Sequence, residues 1–212
     1  MGMGIHSGTG VADSRITLID FHTHIAPPQG VYTPQSFGLH PWHISNDYRN
    51  TPPGLFEQAQ IIGECGLDRC CSTPWELQHE AFCWQLEMAA RYGKPVVIHC
   101  VRAFNELVEL RKRYDTTPWV VHGYIGAPQM AVQLNGMGIK VSLGAALLDP
   151  SRSKPRQTLL RLGADNILLE TDTATCGIGT VYGTAASLLG ITVPQLAEKI
   201  SVTCSMVLGL QC

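Results

Sequence analysis

Charge is scarce in this sequence, and it is not gathered anywhere. Charged residues make up 15% of the chain, 15 basic against 17 acidic, with no run of Lys or Arg. That excludes broad, sequence-independent binding to duplex phosphate, which needs many contacts, while leaving room for a local phosphate site. No apolar run approaches the roughly 20 residues of a membrane span, and the opening "MGMGIHSGTGVADSR" lacks the apolar core of a signal peptide. A cytoplasmic protein with no membrane partner is expected. The eight cysteines contain no C-x-x-C pair, so a zinc ribbon is excluded. A chain that is 45% hydrophobic over 212 residues can bury a sizeable core without disulfide staples, and its thiols are expected to be reduced. No internal repeat, low-complexity tract or linker divides it. One domain over 16–212 is expected, after a disordered N-terminal segment over 1–15.

What is present is an alternation of short β-branched runs with longer amphipathic ones, the pattern of βα units around a parallel sheet. Seven runs read as strands: "ITLIDFH", "QSFGLHP", "AQIIGECGLD", "PVVIHC", "WVVHGYI", "IKVSLGA" and "NILLETD". Most are continuously apolar, as strands covered on both faces must be. Thr73-Pro74-Trp75-Glu76 reads as a capping box, with Leu77, Ala81, Trp84 and Met88 following at helical spacing and Gly93 ending the helix. A second helix over about 103–114 pairs Glu109 with Arg113. The last opens on a capping box at Thr192 and Gln195.

The chemistry collects where strands end. In "LIDFHTHI" the period of two puts Asp20, His22 and His24 on one face. Alone, such a trio can simply hydrogen-bond internally in a wet strand. But His40 in "GLHPW", Glu64 in "IGECGLD", His99 in "VVIHC", His122 in "VVHGY" and Asp172 in "LLETD" also follow apolar runs. In α/β barrels the active site is assembled at that edge from several strands. Imidazole and carboxylate together suit a divalent metal, with Zn, Mn and Mg as candidates. Six ligands among these residues would suggest two ions, with Glu64, near the middle of the set, placed to bridge them and Asp172 placed to hold one metal and take a proton from a metal-bound water. Asp20 is expected to orient a ligand histidine.

Taken together, "LIDFHTH", "GLHPW", "IGECGLDR", "QLEMAARYGKPVVIHC", "VVHGYIG" and "LLETD" resemble the TatD family of metal-dependent hydrolases, in order and from about residue 16 to about 209. The resemblance implies a TIM-type α/β barrel, a dinuclear divalent-metal site held by His22, His24, Glu64, His99, His122 and Asp172, and a deoxyribonuclease acting on DNA, single-stranded or at ends. It makes Glu64 and Asp172 the catalytic carboxylates and His40 a residue on the substrate side or behind the metal ligands.

The sequence departs from the family in places. Only "IAPPQGVYTPQSF" separates His24 from "GLHPW", where the family has a full helix and strand, so the barrel is expected to be abridged to about seven strands. Thr173-Ala174 follow "LLETD" in place of Ser-Pro, and Thr203 stands near an expected Asn. Arg102 lies three positions after His99 and is expected to reach a phosphate. Trp42 and His43 could supply one stacking surface, and Trp42 reads equally well as a packing residue at the barrel mouth. The alternatives are a metal-dependent hydrolase of small esters or amides, and a metal-binding scaffold without turnover. Glu64 in the bridging place, rather than a modified lysine, favours phosphoester chemistry.

Overall fold

The structure is a computed structural model that describes residues 17–210; the segment expected to be disordered, 1–15, lies outside the described residues. Each of the seven predicted runs contains a strand. Six form one all-parallel sheet in chain order: β3 (Ser36–Phe37), β4 (Ile61–Asp68), β5 (Val96–Val101), β6 (Trp119–Val121), β7 (Ile139–Leu143) and β8 (Ile167–Leu169). The seventh, β1 (Leu18–Ile19), pairs with β2 (Val31–Tyr32), a strand the sequence analysis did not expect. Beyond its paired residues β1 turns to the other edge of the sheet. Phe21 N–H donates to Leu169, Asp172 N–H to His22, and His24 N–H to Asp172. Three residues, Thr33–Gln35, then join β2 to β3, and Pro34 among them has no N–H to continue a ladder. With β1 bound to β2 on one side and to the end of β8 on the other, the described residues hold eight strands in a TIM-like α/β arrangement around the six-stranded parallel sheet.

Helices alternate with the strands from β4 onward. They are α2 (Trp75–Tyr92), α3 (Phe104–Arg113), α4 (Pro128–Gly136), α5 (Ser153–Leu162), α6 (Ile178–Leu189) and α7 (Val193–Leu208). Between β3 and β4 lie two 3-10 turns, Pro41–His43 and Tyr48–Asn50, and the short α1 (Pro53–Gln58), and residues 25–30 between β1 and β2 hold no helix at all. The stretch "IAPPQGVYTPQSF" therefore lacks a helix, as expected, but it does hold a strand, β2. Strand residues such as Ile62, Val96, Ile98, Val120, Val141, Leu143 and Leu168 are fully buried and share one hydrophobic core with Phe82, Leu86, Leu107, Leu134, Leu159 and Ile200 of the helices.

The capping box of α7 forms as expected, with reciprocal Thr192 and Gln195 bonds. That of α2 does not: Pro74 is the N-cap, and no side chain caps it. The reason lies one turn on. Gln78 is buried, and its Nε2 donates to Thr73 O at 2.8 Å and to Asp68 O at 3.1 Å, while its Oε1 accepts Asp68 N–H at 2.8 Å. Gln85, equally buried, brackets Leu39 in the same way, accepting its N–H at 2.7 Å and donating to its carbonyl at 3.1 Å. The buried face of α2 is thus Gln78, Ala81, Phe82, Trp84, Gln85, Leu86 and Ala89, which keeps Ala81 and Trp84 of the predicted apolar stripe, leaves Leu77 and Met88 partly buried at its margin, and adds the two glutamines. In α3, Glu109 pairs with Lys112 at 2.6 Å rather than with Arg113.

Candidate metal centre

His22 and His24 follow β1, His40 follows β3, His122 follows β6, and Asp172 lies three residues past β8. Glu64 and His99 instead sit inside β4 and β5, which run on to Asp68 and Val101, so for these two the expected strand-end position is corrected. A bulge makes the difference. Ile62 pairs with Val96 but Cys65 with Ile98, so β4 carries one extra residue here and Glu64 is turned into the barrel. Glycine is required on both sides of it. Gly63 (φ 136°) and Gly66 (φ 144°) lie so close to β5 that a Cβ would come within 2.3 Å of Val97 O and 2.0 Å of His99 O.

Five imidazoles converge on the Glu64 carboxylate, divided between its oxygens. His22 Nε2 and His24 Nε2 lie 3.2 and 3.3 Å from Oε2. His40 Nε2, His99 Nδ1 and His122 Nε2 lie 3.1, 2.9 and 2.7 Å from Oε1. Asp172 Oδ1 joins the first group, 3.5 Å from His24 Nε2 and 4.0 Å from His22 Nε2. Its backbone is left-handed (φ 52°), a conformation costly for a residue with a side chain, and both its N–H and its carbonyl are bound by the β1 backbone. Donor atoms of His22, His24 and Glu64 lie within 4.8 Å of one another, as do those of His22, His122 and Asp172 and those of His40, Glu64 and His99. His99 Nδ1 and His122 Nε2 are 3.3 Å apart. Two nitrogens bound to one tetrahedral zinc at about 2.05 Å stand roughly 3.3 Å apart, so this pair fits a shared ion.

Two carboxylates behind the ligands did not stand out in the sequence. Asp68 Oδ2 lies 3.1 Å from His99 Nε2, which leaves Nδ1 facing Glu64. Glu170 Oε1 lies 3.5 Å from His122 Nδ1 and also accepts the Gly123 N–H at 2.7 Å, while Ser142 donates to Oε2. The Asp68 bond fixes the ring and tautomer of His99, whereas His122 Nδ1 has no hydrogen-bond partner and Glu170 acts on it as a nearby charge. A signal existed for both. Asp68 is four residues from Glu64 on one strand, and Glu170 two residues before Asp172, spacings that share a face. Asp20 departs from expectation: both its oxygens accept from Thr171, at 2.8 and 2.6 Å, so it ties β1 to the end of β8 instead of orienting a histidine.

The electrostatics follow from this packing. Burial alone would raise Glu64, yet hydrogen bonds from His122, His22, His40 and His99 hold it far below the carboxylate range. Burial likewise opposes the charges on Glu170 and His122, but their mutual attraction wins, lowering Glu170 and pushing His122 up to about 10. Asp68 is also lowered, against its burial, by the Trp42, Cys70 and His99 donors.

The site opens into a cavity of about 730 Å³ lined by His22, His24, His40, Glu64, His99, His122 and Asp172, with Phe37, Trp42, His43 and Thr173 around them. Arg102 stands apart. It follows β5 with φ 53° and is not among the cavity-lining residues.

The chain is similar to known proteins. A curated uncharacterised metal-dependent hydrolase of Escherichia coli, YjjV, is 36% identical over 113 residues, covering 52% of this chain and 44% of that protein. The 3'-5' ssDNA/RNA exonuclease TatD of Edwardsiella piscicida is 31% identical over 184 residues, covering 79% of this chain and 66% of that protein. The chain thus spans about half to two thirds of the length of these curated relatives. The crystal structure of YjjV superposes with a TM-score of 0.77 at 22% identity, covering 93% of this chain and all of that one, and shows the shared fold. With the TatD related DNase family model matching residues 21–201, the chain belongs to the TatD family.

Proposed function

We propose that the protein is a divalent-metal-dependent phosphodiesterase that shortens single-stranded nucleic acid, DNA above all, from an end. The observation that carries this reading is the Glu64 carboxylate, with one set of imidazoles on each oxygen and Asp172 beside it. His22, His24 and Asp172 would hold one ion and His99 and His122 the other, with Glu64 between. Bound there, two divalent ions (Mg, Mn or Zn) would supply Lewis acidity to the phosphate and ionise water near neutral pH. The chain's own residues do the rest. Glu64 fixes the spacing of the two sets of ligands. Asp172, partly exposed at the cavity, accepts the proton of the water that attacks phosphorus as the ester bond on the opposite side breaks. His40 positions the phosphate, its Nδ1 accepting the Trp42 N–H and its Nε2 turned inward. Arg102, outside the cavity lining, meets a phosphate further along the strand. The relatives named as 3'-5' exonucleases support polarity from a 3' end. A cytoplasmic setting agrees with the unpaired state of every cysteine among the described residues.

The test is turnover of a labelled single-stranded oligodeoxynucleotide by metal-stripped protein, re-supplied separately with Mg, Mn and Zn, with Asp172→Asn alongside. Metal-dependent shortening is expected, falling by about 10²–10⁴-fold in the variant, the usual worth of a positioned general base. Stoichiometric metal binding without cleavage would overturn the nuclease reading in favour of a small ester or amide substrate.

A further inference from the structure

We infer that Trp42 is a preformed stacking platform for the nucleobase at the bound end of the strand, held in place by Asp68 through the same carboxylate oxygen that orients His99. The inference rests on the nuclease reading above and adds to it the group that receives the base. Trp42 is 55% exposed at the cavity, in a short 3-10 turn directly after His40. An indole packed as a lid over the core would not be left so open. Nor is it free to swing, because Nε1–H donates to Asp68 Oδ2 at 2.7 Å and the Trp42 backbone N–H donates to His40. Its ring meets His40 at 4.9 Å and His99 at 5.8 Å, both near perpendicular. The anchor is itself rigid. Asp68 is 3% exposed, its Oδ1 accepts the Cys70 N–H at 2.7 Å, and its backbone is bracketed by Gln78.

An aromatic ring exposed to solvent but fixed at its polar edge has prepaid the ordering cost of stacking, and every base offers a π-face to such a surface. This suits an enzyme that must accept each base in turn. Since Asp68 Oδ2 also faces His99 Nε2 at 3.1 Å, one oxygen registers the platform against the metal-ligand candidate, setting the reach from stacked base to scissile phosphate.

Two measurements on the full chain with Mg test this. In the first, intrinsic fluorescence is followed during titration with dAMP and with 2-deoxyribose 5-phosphate. Trp42 is one of four tryptophans, so quenching by dAMP but not by the sugar phosphate is expected, and Trp42→Phe should abolish most of it with an unchanged circular dichroism spectrum. In the second, kcat/KM is compared for an oligonucleotide ending in a normal 3' nucleotide and one ending in an abasic residue. Trp42→Ala should lower the ratio of the two by about tenfold or more. Asp68→Asn should weaken both the quenching and Mg affinity, whereas Trp42→Phe should weaken only the quenching, which separates positioning from stacking. Equal loss on both substrates in Trp42→Ala, or quenching that survives Trp42→Phe, would overturn the inference. If the wild type cleaves neither substrate, the nuclease reading fails, and the fluorescence titration still decides whether Trp42 meets a base.

Discussion

Five imidazoles around one carboxylate would be an expensive arrangement if left without cations. Burial penalises the Glu64 charge, and only the ring nitrogens on both its oxygens keep it ionised. At the scale of single residues, the histidines in turn depend on what lies behind them. Glu170 is fully enclosed and serves His122, Gly123 and Ser142 together, so Glu170→Gln keeps most of the shape and removes the charge that steadies the imidazole. That variant should bind metal about 10- to 100-fold more weakly, read by competition with a chromogenic chelator, with little loss of secondary structure. Wild-type affinity in Glu170→Gln would show that His122 orients itself.

The element that decides the geometry of the site is α2, although it contributes no ligand. Its two buried glutamines clamp the peptide groups of Leu39 and Asp68, the one beside His40 and the other carrying the carboxylate that orients His99. An amphipathic reading turns glutamine toward water, and here it points to the core because strand-end peptide groups with no ladder partner must be satisfied. Gln85→Leu would leave the Leu39 N–H and carbonyl without their partners. A loss of about 2–3 kcal/mol in unfolding free energy is expected from denaturant titration, with activity falling alongside as His40 loosens. A substitution as neutral as one on the exposed face of α2 would mean that water replaces the amide.

For the molecule as a whole, the proposed ligand set would make metal and proton compete for the same atoms. In the metal-free protein the lowered Glu64 contributes stability that is present above its unfolded value of about 4.3 and lost as pH falls below it. His122 has the opposite sign. Raised to about 10, it contributes stability that is present below about 6.5 and lost as pH rises toward 10. Thermal melts in EDTA should therefore show a maximum between about pH 5 and 7 and a decline on the alkaline side. With metal in place of the His122 proton the alkaline decline should be shallower, and an ion at a thousand times its Kd should add about 4 kcal/mol. Identical pH profiles with and without metal would count against His122 as a ligand. The abridged first βα unit acts at this scale too: there is no helix between β1 and β2, and none of residues 25–35 lines the cavity.

The sequence by itself determined the fold class and which residues face the barrel mouth. Continuously apolar strands can only be buried on both faces, and the polar residue that ends or interrupts such a run has nowhere to go but the mouth. His22, His24, His40, Glu64, His99, His122 and Asp172 were legible for that reason, as was the missing helix after His24. Tertiary structure alone decided how those residues are shared. The division of imidazoles between the two oxygens of Glu64 depends on a bulge in β4 that only pairing with β5 creates. The tether from Trp42 to Asp68, the Thr171 bonds that take up Asp20, and the inward glutamines of α2 are likewise choices of partner. Periodicity tells a side chain which face to occupy, but a hydrogen bond is settled by whichever donor or acceptor the fold leaves unsatisfied within about 3 Å.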